Sequence, residues 1–307
     1  MPSKRKKDDD STAIETLGPA KLDSPLTVYY GGDSEPDCSG VFVSDSCRIL
    51  IDTDLHSYHN SLKKKKDPLS FEQAGPRGKI YFEPSKVKAA ILTAGGLCPG
   101  LNDVIRSLVL TLHYLYGIRN IFGIRHGYQG LCPTFGHELV DLTPESVANI
   151  HEFGGSILSS SRGLYPIEEL VDSLERLNIR VLFTVGGDGT LRGGHLMAEE
   201  IKKRGLKISI IGIPKTIDND INMVARSFGF DTAVQTAAQA IRSAHTESLG
   251  APNGIGLVKL MGRESGFIAA NAALAQGEAN YVLVPESDFD LEGEGGLLME
   301  LEERLKR

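Results

Sequence analysis

The sequence lacks the features that mark several large classes of protein. No run of apolar residues approaches the roughly 20 residues that a membrane-spanning helix needs. The N-terminus has no apolar core of a secretion signal, and its many acidic residues are unusual for a transit peptide. The formal net charge of -7 gives no broad basic surface for nucleic acid. These absences predict a cytoplasmic protein that binds neither membranes nor nucleic acids.

Cysteine is scarce, and its spacing carries no motif. The 4 cysteines, Cys38, Cys47, Cys98 and Cys132, form no CxxC pair, so we expect free thiols in a reducing compartment. The first strand–helix unit also lacks GxGxxG, and no GK[ST] follows its glycine loop. The sequence therefore argues against a dinucleotide-dependent dehydrogenase and against a Walker-type phosphate loop.

The chain changes character near residue 87. Residues 1–86 are rich in Asp, Ser, Lys and Pro, which predicts a partly disordered extension packed loosely on the main body. From there on, short apolar runs alternate with segments of helical periodicity, beginning with a strand at 89–93 and a helix at 102–116 that Gly117 closes. Continuous apolar strands between amphipathic helices predict an open, doubly wound α/β fold around a mostly parallel sheet.

The same alternation continues along the rest of the chain. We expect helices at 144–153, 167–177, 191–204, 232–245 and 267–275, and strands at 121–124, 181–185, 209–213, 255–260 and 281–284. This order divides the chain into an α/β domain over residues 87–229 and a second, similar domain over 230–307 that we expect to be incomplete. Ligands in such sheets bind at the carboxyl ends of the strands.

Two glycine loops follow predicted strands. The first, at 93–102, opens a helix whose free N–H groups could hold an anion, although a tight turn explains its glycines equally well. The second is Gly186-Gly187-Asp188-Gly189-Thr190. Asp188 is placed to hold Mg²⁺ beside phosphate oxygens, and Gly189 leaves room for a nucleotide. Thr190 has the alternative role of capping the next helix.

A third loop, at 214–220, carries two carboxylates beside a lysine and a threonine. Phosphoryl transfer needs a group that takes the acceptor's proton and cations that neutralise phosphate oxygens. Asp218 is our candidate base, and Asp220 would orient it or touch the metal. A turn rich in Asp and Asn is the structural alternative. Arg162-Gly163 and Arg263 offer guanidinium groups to phosphate, although a lone surface arginine is usually only solvated.

Together these loops give the chain a resemblance to phosphofructokinases. The match runs from about residue 89 to residue 286 and rests on the motifs GGDGT (186–190), PKTIDND (214–220), LMGRESG (260–266) and VPE (284–286). With GGLCPGLNDVIR (95–106), the chain most resembles the plant-type ATP-dependent group. The resemblance implies transfer of the γ-phosphoryl group of ATP to the 1-hydroxyl of fructose 6-phosphate, with Mg²⁺, in a homo-oligomer.

The resemblance also implies a role for individual residues. Asp218 matches the catalytic base, Thr216 its neighbour at the transferred phosphoryl group, and Arg263 a group that stabilises transition-state charge. Asp188 matches the magnesium-binding acid. The positions on the ATP side are Gly96, Tyr128, Arg162, Gly163, Gly187, Asp188, Gly189 and Thr190. The positions on the sugar side are Thr216, Asp218, Asp220, Met261, Gly262, Arg263 and Glu286. On this reading, residues 87–229 bind the nucleotide and residues 230–307 bind the substrate.

The sequence leaves several alternatives open for the phosphoryl donor, the substrate contacts and the activity of the chain. Gly189 favours ATP because pyrophosphate-dependent relatives typically carry an acid there. Lys215 is typical of the pyrophosphate-dependent relatives, but plant-type members that use ATP share it, so a pyrophosphate-dependent phosphofructokinase is the alternative. Asn253 stands where bacterial relatives place a substrate-binding arginine, and Lys259 is a substitute only by proximity. The chain also ends before the family's second domain is complete, so a truncated, non-catalytic partner of full-length subunits is an alternative. NAD and lipid kinases share GGDGT but not the later motifs.

Overall fold

The computed structural model describes residues 12–30, 41–64 and 66–306. The first part of the chain forms small paired elements rather than a domain core. β1 (Leu22–Asp23) pairs antiparallel with β4 (Lys79–Ile80), and β2 (Arg48–Leu50) pairs antiparallel with β3 (Ser70–Glu72). Two short helices accompany them, α1 (Leu26–Tyr30) and α2 (Leu55–Lys63). Residues 1–11, 31–40 and 65 of the extension predicted at 1–86 lie outside the described residues.

A five-stranded sheet forms the centre of the protein. Its strands are β5 (Lys88–Thr93), β6 (Asn120–Ile124), β7 (Val140–Asp141), β8 (Val181–Gly186) and β9 (Ser209–Pro214). Their order is β7-β6-β5-β8-β9, and all neighbours are parallel except the edge strand β7. The predicted α/β architecture is confirmed.

Helices cover both faces of this sheet, which explains the unbroken apolar runs in its strands. α3 (Leu101–Leu110) packs with Ala89 and Ile91 on one face. On the other face, α4 (Ile167–Arg176) and α5 (Asp188–Lys203) pack with Ala90 and Leu92. The four residues from Ala89 to Leu92 therefore enter opposite cores in alternation, and each of these positions needs an apolar side chain.

Two predicted helices differ from the structure. The helix expected at 102–116 changes from α3 to a π-helix at Thr111–Leu115 and then ends at Gly117, whose φ of 72° fits a C-terminal glycine. The helix expected at 144–153 is wrong. It is a series of turns with a 3₁₀ helix at Ile150–Glu152. Thr143 and Ser146 exchange side-chain and backbone hydrogen bonds there, which favours a turn.

After the sheet, the chain continues as α6 (Phe230–Leu249), α7 (Phe267–Gln276) and α8 (Leu297–Leu305). The strands expected at 255–260 and 281–284 are not formed. A β-strand needs a hydrogen-bonded neighbour, and none of the described residues supplies one to these segments. Their apolar side chains stay largely exposed, up to 89% at Leu257. Of the described helices, none is long and apolar enough to cross a membrane.

The cysteine prediction holds in part. Cys98 and Cys132 are free and buried. Cys47 is disulfide-bonded, so the expectation of a free thiol is wrong for this residue. Cys38 lies outside the described residues.

Candidate active site

The three loops singled out in the sequence meet at one edge of the sheet. β5, β8 and β9 are parallel neighbours, so their carboxyl ends lie side by side. The loops that follow them begin at Ala94, Gly187 and Lys215. Their backbones are tied together, because the N–H of Ala94 donates to the carbonyl of Val185 and the N–H of Lys215 donates to that of Gly186, both at 2.9 Å.

Lys215 links the third loop to the first. It is 5% exposed, and its Nζ donates to the carbonyl oxygen of Gly96 at 2.6 Å. Burial lowers the pKa of Lys215, and the nearby charge of Arg162 acts in the same direction. A Cβ added to Gly95, whose φ is +85°, would lie 3.7 Å from the same Nζ. The first glycine loop is therefore held by a buried lysine that approaches its backbone closely.

A serine-rich segment, 156–162, closes the other side of the first loop. Ser160 Oγ donates to the carbonyl of Gly95 at 2.6 Å, and the N–H of Gly95 donates to the carbonyl of Ser161 at 3.2 Å. Arg162 is exposed, and its Nη2 would lie 3.4 Å from a Cβ on Gly96. The structure thus brings Gly96 and Arg162 together beside a cavity of about 720 Å³.

The second loop joins β8 to α5 and presents its acid outward. Asp188 is the first residue of α5 and is exposed, whereas Thr190 is buried. A Cβ added to Gly186 would lie 2.2 Å from Thr190 Oγ1, so packing requires that glycine. A Cβ added to Gly189 would meet no described atom within 4 Å, and its backbone does not require glycine. Packing therefore requires glycine at position 186, whereas neither packing nor backbone conformation requires glycine at position 189.

Tyr128 supports this loop from behind. Its hydroxyl donates to the carbonyl of Thr190 at 2.7 Å, and burial raises the pKa of Tyr128 to about 12. Its ring packs on Gly193, where an added Cβ would lie 2.9 Å from the nearest ring carbon. Tyr128 thus contacts α5 from the buried side. Gly163, by contrast, packs against the Tyr165 hydroxyl, which lies 2.9 Å from an added Cβ.

The third loop holds Asp218 in a confined position. Thr216 Oγ1 donates to Asp220 Oδ1 at 2.5 Å and accepts from the N–H of Asp218 at 3.3 Å. Asp218 Oδ1 is buried and has no hydrogen-bond partner among the described residues. Burial raises the pKa of Asp218, and the charge of Asp220 adds to this, while Arg263 and Lys215 oppose it. The loop thus contains a carboxylate whose pKa is raised and whose Oδ1 can accept a proton.

Two residues that the sequence analysis missed shape this loop. Asn219 adopts a φ of 57°, and its Oδ1 accepts from the N–H of Ser227 at 2.7 Å. The hydroxyl of the buried Ser227 accepts from the N–H of Thr216 at 3.0 Å. Asparagine between two aspartates is a signal for the left-handed conformation. The partner, eight positions further along the chain, has no local signal.

Cys98 belongs to the first glycine loop, where it is buried and not positioned to react. Its Sγ donates to the carbonyl of Phe228 at 3.0 Å. Burial raises the pKa of Cys98 to about 11, and the nearby charge of Lys215 only partly opposes this. A thiol with such a pKa is almost entirely protonated at neutral pH. The structure therefore places Cys98 in the packing of the site.

The LMGRESG segment approaches Asp218 from the following part of the chain. Ser265 Oγ donates to the backbone carbonyl of Asp218 at 3.2 Å. Arg263 is exposed, but its charge and backbone N–H favour the ionised form of Asp218. Gly262 has a φ of +122°, and the neighbouring Met261 is 61% exposed. Asp218 and Arg263 are thus brought together at the open side of the site.

Glu286 stabilises the backbone at the start of α7. Its carboxylate accepts from the N–H of Gly266 at 2.9 and 3.0 Å, directly before α7. A carboxylate at this position satisfies a free N–H group and complements the helix dipole. Glu286 thereby holds the segment that carries Arg263.

The donor groups fit one kind of metal site. The described part of the chain contains no group of three His, Cys, Asp or Glu side chains that could hold an ion. Mg²⁺, however, is often held by one or two carboxylates together with substrate phosphates and water. Asp188, exposed at the loop edge and without an ion pair among the described residues, supplies such a carboxylate. The Asp188 carboxylate therefore fits a magnesium ion that arrives bound to a phosphate.

Comparisons with known proteins show the family to which the chain is similar. A family profile described as phosphofructokinase matches residues 88–307. The chain is 51% identical over 293 residues to an ATP-dependent 6-phosphofructokinase of Borreliella burgdorferi, an alignment that covers 95% of this chain and 64% of that protein. It is 50% identical over 236 residues to ATP-dependent 6-phosphofructokinase 7 of Arabidopsis thaliana, covering 77% and 48%.

A solved structure gives the same fold. The phosphofructokinase of Saccharomyces cerevisiae superposes with a TM-score of 0.60 at 25% identity, covering 72% of this chain and 32% of that one. The chain spans less than two thirds of the length of the two curated relatives.

Proposed function

The chain belongs to the phosphofructokinase family, and on that premise we propose that it carries the donor site and catalytic base of an ATP-dependent 6-phosphofructokinase. The reaction moves the γ-phosphoryl group of ATP to the 1-hydroxyl of fructose 6-phosphate, a step of glycolysis. The relatives from B. burgdorferi and A. thaliana carry this name. The observation that carries the proposal is the environment of Asp218.

Asp218 acts as the general base in this proposal. A carboxylate with a raised pKa binds a proton more strongly than an ordinary one, and its Oδ1 has no other partner among the described residues. The acceptor's 1-hydroxyl would donate its proton to the Asp218 carboxylate while its oxygen attacks the γ-phosphorus. Thr216 and Asp220 keep the loop in shape through their 2.5 Å hydrogen bond.

Cations surround the path of the transferred group. Lys215 Nζ donates to the carbonyl oxygen of Gly96, and Arg263 is exposed next to Asp218, to which its backbone N–H donates. Positive charges in a partly desolvated site stabilise the charge that develops on the phosphoryl oxygens. Met261 and Gly262 would shape the sugar side next to Arg263, and Glu286 would act by holding their segment.

The donor side is formed by the two glycine loops. The N–H groups around Gly96, together with the guanidinium of Arg162, would bind ATP phosphates, and Gly187 and Gly189 leave the backbone accessible. Asp188 would hold Mg²⁺, which when bound neutralises phosphate oxygens. Tyr128 and Thr190 keep the start of α5 in position. The open space beside Gly189 is our reason for preferring ATP over pyrophosphate.

The assay compares both donors on the chain as it stands. We expect fructose 1,6-bisphosphate to form from fructose 6-phosphate and Mg·ATP, and calorimetry to show Mg·ATP binding. Faster turnover with Mg·pyrophosphate would overturn the choice of donor. An absence of Mg·ATP binding in a folded chain would overturn the donor site itself. We also propose a cytoplasmic location and a homo-oligomer, which cell fractionation and light scattering would check.

A further inference from the structure

A second cavity lies at the opposite edge of the central sheet. Its volume is about 410 Å³, and it is bordered by the amino ends of β5, β8 and β9. Its lining residues are Tyr81, Phe82, Glu83, Lys86, Val87, Asn178, Arg180 and Lys207. None of the residues assigned to the candidate active site lines it. The two cavities are separated by the length of β8, 6 residues, which at about 3.3 Å per residue is on the order of 20 Å.

The lining of this cavity is unusually rich in free positive charge. Lys86, Arg180 and Lys207 come from three separate segments, each just before a strand of the sheet. All three are exposed, and none forms an ion pair within the described ranges. Among the described residues that line the cavity, Glu83 is the only one with a carboxylate, and it accepts a hydrogen bond from Ser85 Oγ at 3.3 Å. These described lining residues therefore carry a net charge of about +2 at neutral pH.

Another arginine of this domain, Arg204, does have acidic partners, in contrast to the cations of this cavity. Arg204, also on the surface of this domain, donates to Asp172 and Glu200, and both acids are oriented toward it. Arg180 and Lys207 have no such acidic partner in the part of the chain that the structure describes. Three like charges that converge on one concavity repel each other, and an anion would relieve the repulsion.

Hydrogen bonds to two neighbouring strands hold the backbone of Arg180 in place. The N–H of Arg180 donates to the carbonyl of Lys88, and the N–H of Ser209 donates to the carbonyl of Arg180, both at 2.9 Å. Arg180 therefore sits in the hydrogen-bond network of the sheet between β5 and β9. Charged groups on rigid elements lose less conformational freedom when they bind a ligand.

The remaining wall is aromatic. Tyr81 and Phe82 lie edge to face with their ring centroids 5.0 Å apart, and both rings are half-buried. Phe82 also packs on the core of the domain, which holds the pair in place. A cavity with cations on one side and aromatic carbon on the other suits a ligand that combines an anionic group with an apolar or planar body.

From this combination we infer that the cavity at the amino edge of the sheet binds a small organic phosphate. Its phosphate group contacts Lys86, Arg180 and Lys207, and its carbon body lies against Tyr81 and Phe82. The volume of about 410 Å³ lies within the range of small-ligand sites. This site is separate from the donor site, so both can be occupied at once.

Calorimetric titration of the folded chain tests the inference, with phenyl phosphate and inorganic phosphate as probes. We expect both to bind and phenyl phosphate to bind more tightly, since only it carries a ring. The double variant Arg180→Gln/Lys207→Gln should weaken both probes by about tenfold or more, because it removes two charge-assisted hydrogen bonds. Its matched control is Arg176→Gln/Lys203→Gln, which removes the same charge from neighbouring residues that do not line the cavity.

A third variant, Arg162→Gln, separates this cavity from the donor site, and we expect it to keep the binding of phenyl phosphate. The inference is overturned if neither probe binds, or if the Arg180→Gln/Lys207→Gln variant and its control bind equally well. Loss of binding in Arg162→Gln alone would assign the probes to the donor site and would also overturn it. Equal affinity for the two probes would contradict the role given to the aromatic wall.

Discussion

The two sides of the candidate active site are built differently. The loop after β9 is partly buried and internally bonded. Lys215 and Asp218 have pKa values shifted by burial, and Thr216 bonds Asp220. The start of α5 after β8 is open, and its acid, Asp188, is exposed.

This difference separates two kinds of function within one site. Groups that act on the reacting atoms benefit from being held and desolvated before substrate arrives, because their orientation then costs nothing during the reaction. Groups that receive a large charged ligand must stay open to it. Changes in the buried loop should therefore affect turnover and pH dependence. Changes in the exposed loop should affect donor binding alone.

The largest effect should follow from Asp218→Asn. The amide keeps the shape of the side chain but cannot take the acceptor's proton, so we expect kcat with fructose 6-phosphate to fall by about 10³-fold. Mg·ATP affinity should stay within about threefold, since the change costs the donor no direct contact. Steady-state kinetics and calorimetric titration of Mg·ATP measure the two quantities.

The same variant has a readout in stability. The pKa of Asp218 is raised in the folded state, so folding disfavours its ionised form. The contribution of this group to stability is complete below its unfolded-state pKa and is lost as pH rises through its folded-state pKa. Removing the charge should therefore leave the Tm at pH 7 unchanged or higher. A large fall in Tm would mean that the loss of activity reflects unfolding, and near-normal turnover would refute the role of base.

Gly189→Asp tests the exposed loop and should have the next largest effect. The added carboxylate would enter the open space beside the start of α5 and repel the donor's phosphates, so we expect the KM for ATP to rise by about 100-fold. The Tm should barely change, because an added Cβ meets no described atom within 4 Å. Donor kinetics and thermal unfolding measured together distinguish a ligand effect from a folding effect.

Two matched substitutions sharpen this test. Gly189→Ala adds a methyl group without charge and should bind ATP better than the aspartate variant. Gly186→Ala introduces the same methyl group where it would lie 2.2 Å from Thr190 Oγ1, and should lower stability by about 1–3 kcal/mol. Unchanged ATP kinetics in Gly189→Asp would contradict the idea that this glycine leaves room for the nucleotide.

The central sheet and the order of its loops could be predicted from the sequence, because buried parallel strands require continuous apolar runs such as 89–93 and 181–185. The segments at 255–260 and 281–284 have similar composition and yet form no strand. An apolar run shows that a segment can form a buried strand. Whether the strand forms depends on a hydrogen-bonded neighbour, which the local sequence does not specify.

Within the site, residue types could be predicted better than their surroundings. The carboxylates at 218 and 220 were identified by their spacing, but the contact of Lys215 with Gly96 joins residues 119 positions apart. Tyr128 was expected on the nucleotide side, and the structure places its hydroxyl against the backbone of Thr190. Such pairs depend on which strands become neighbours, and no periodicity in the sequence contains that information.

Asp220→Asn should have the smallest of the three effects. It removes a charge from the loop after β9 and keeps the shape of the side chain. The amide oxygen can still accept from Thr216 Oγ1, so the loop should keep its shape. Burial is the first cause of the raised pKa of Asp218, and the charge of Asp220 is the second. Removing that charge should lower the pKa of Asp218, and the acid limb of the kcat/KM profile should move to lower pH.

The comparison with Asp188→Asn makes this last test specific. That substitution removes the same charge from the exposed loop, so it should weaken Mg·ATP binding and leave the acid limb where it is. A limb that moves to higher pH in Asp220→Asn, or that moves equally in both variants, would mean that the titrating group is not Asp218. A downward shift confined to Asp220→Asn would assign the limb to the carboxylate beneath the transferred phosphoryl group.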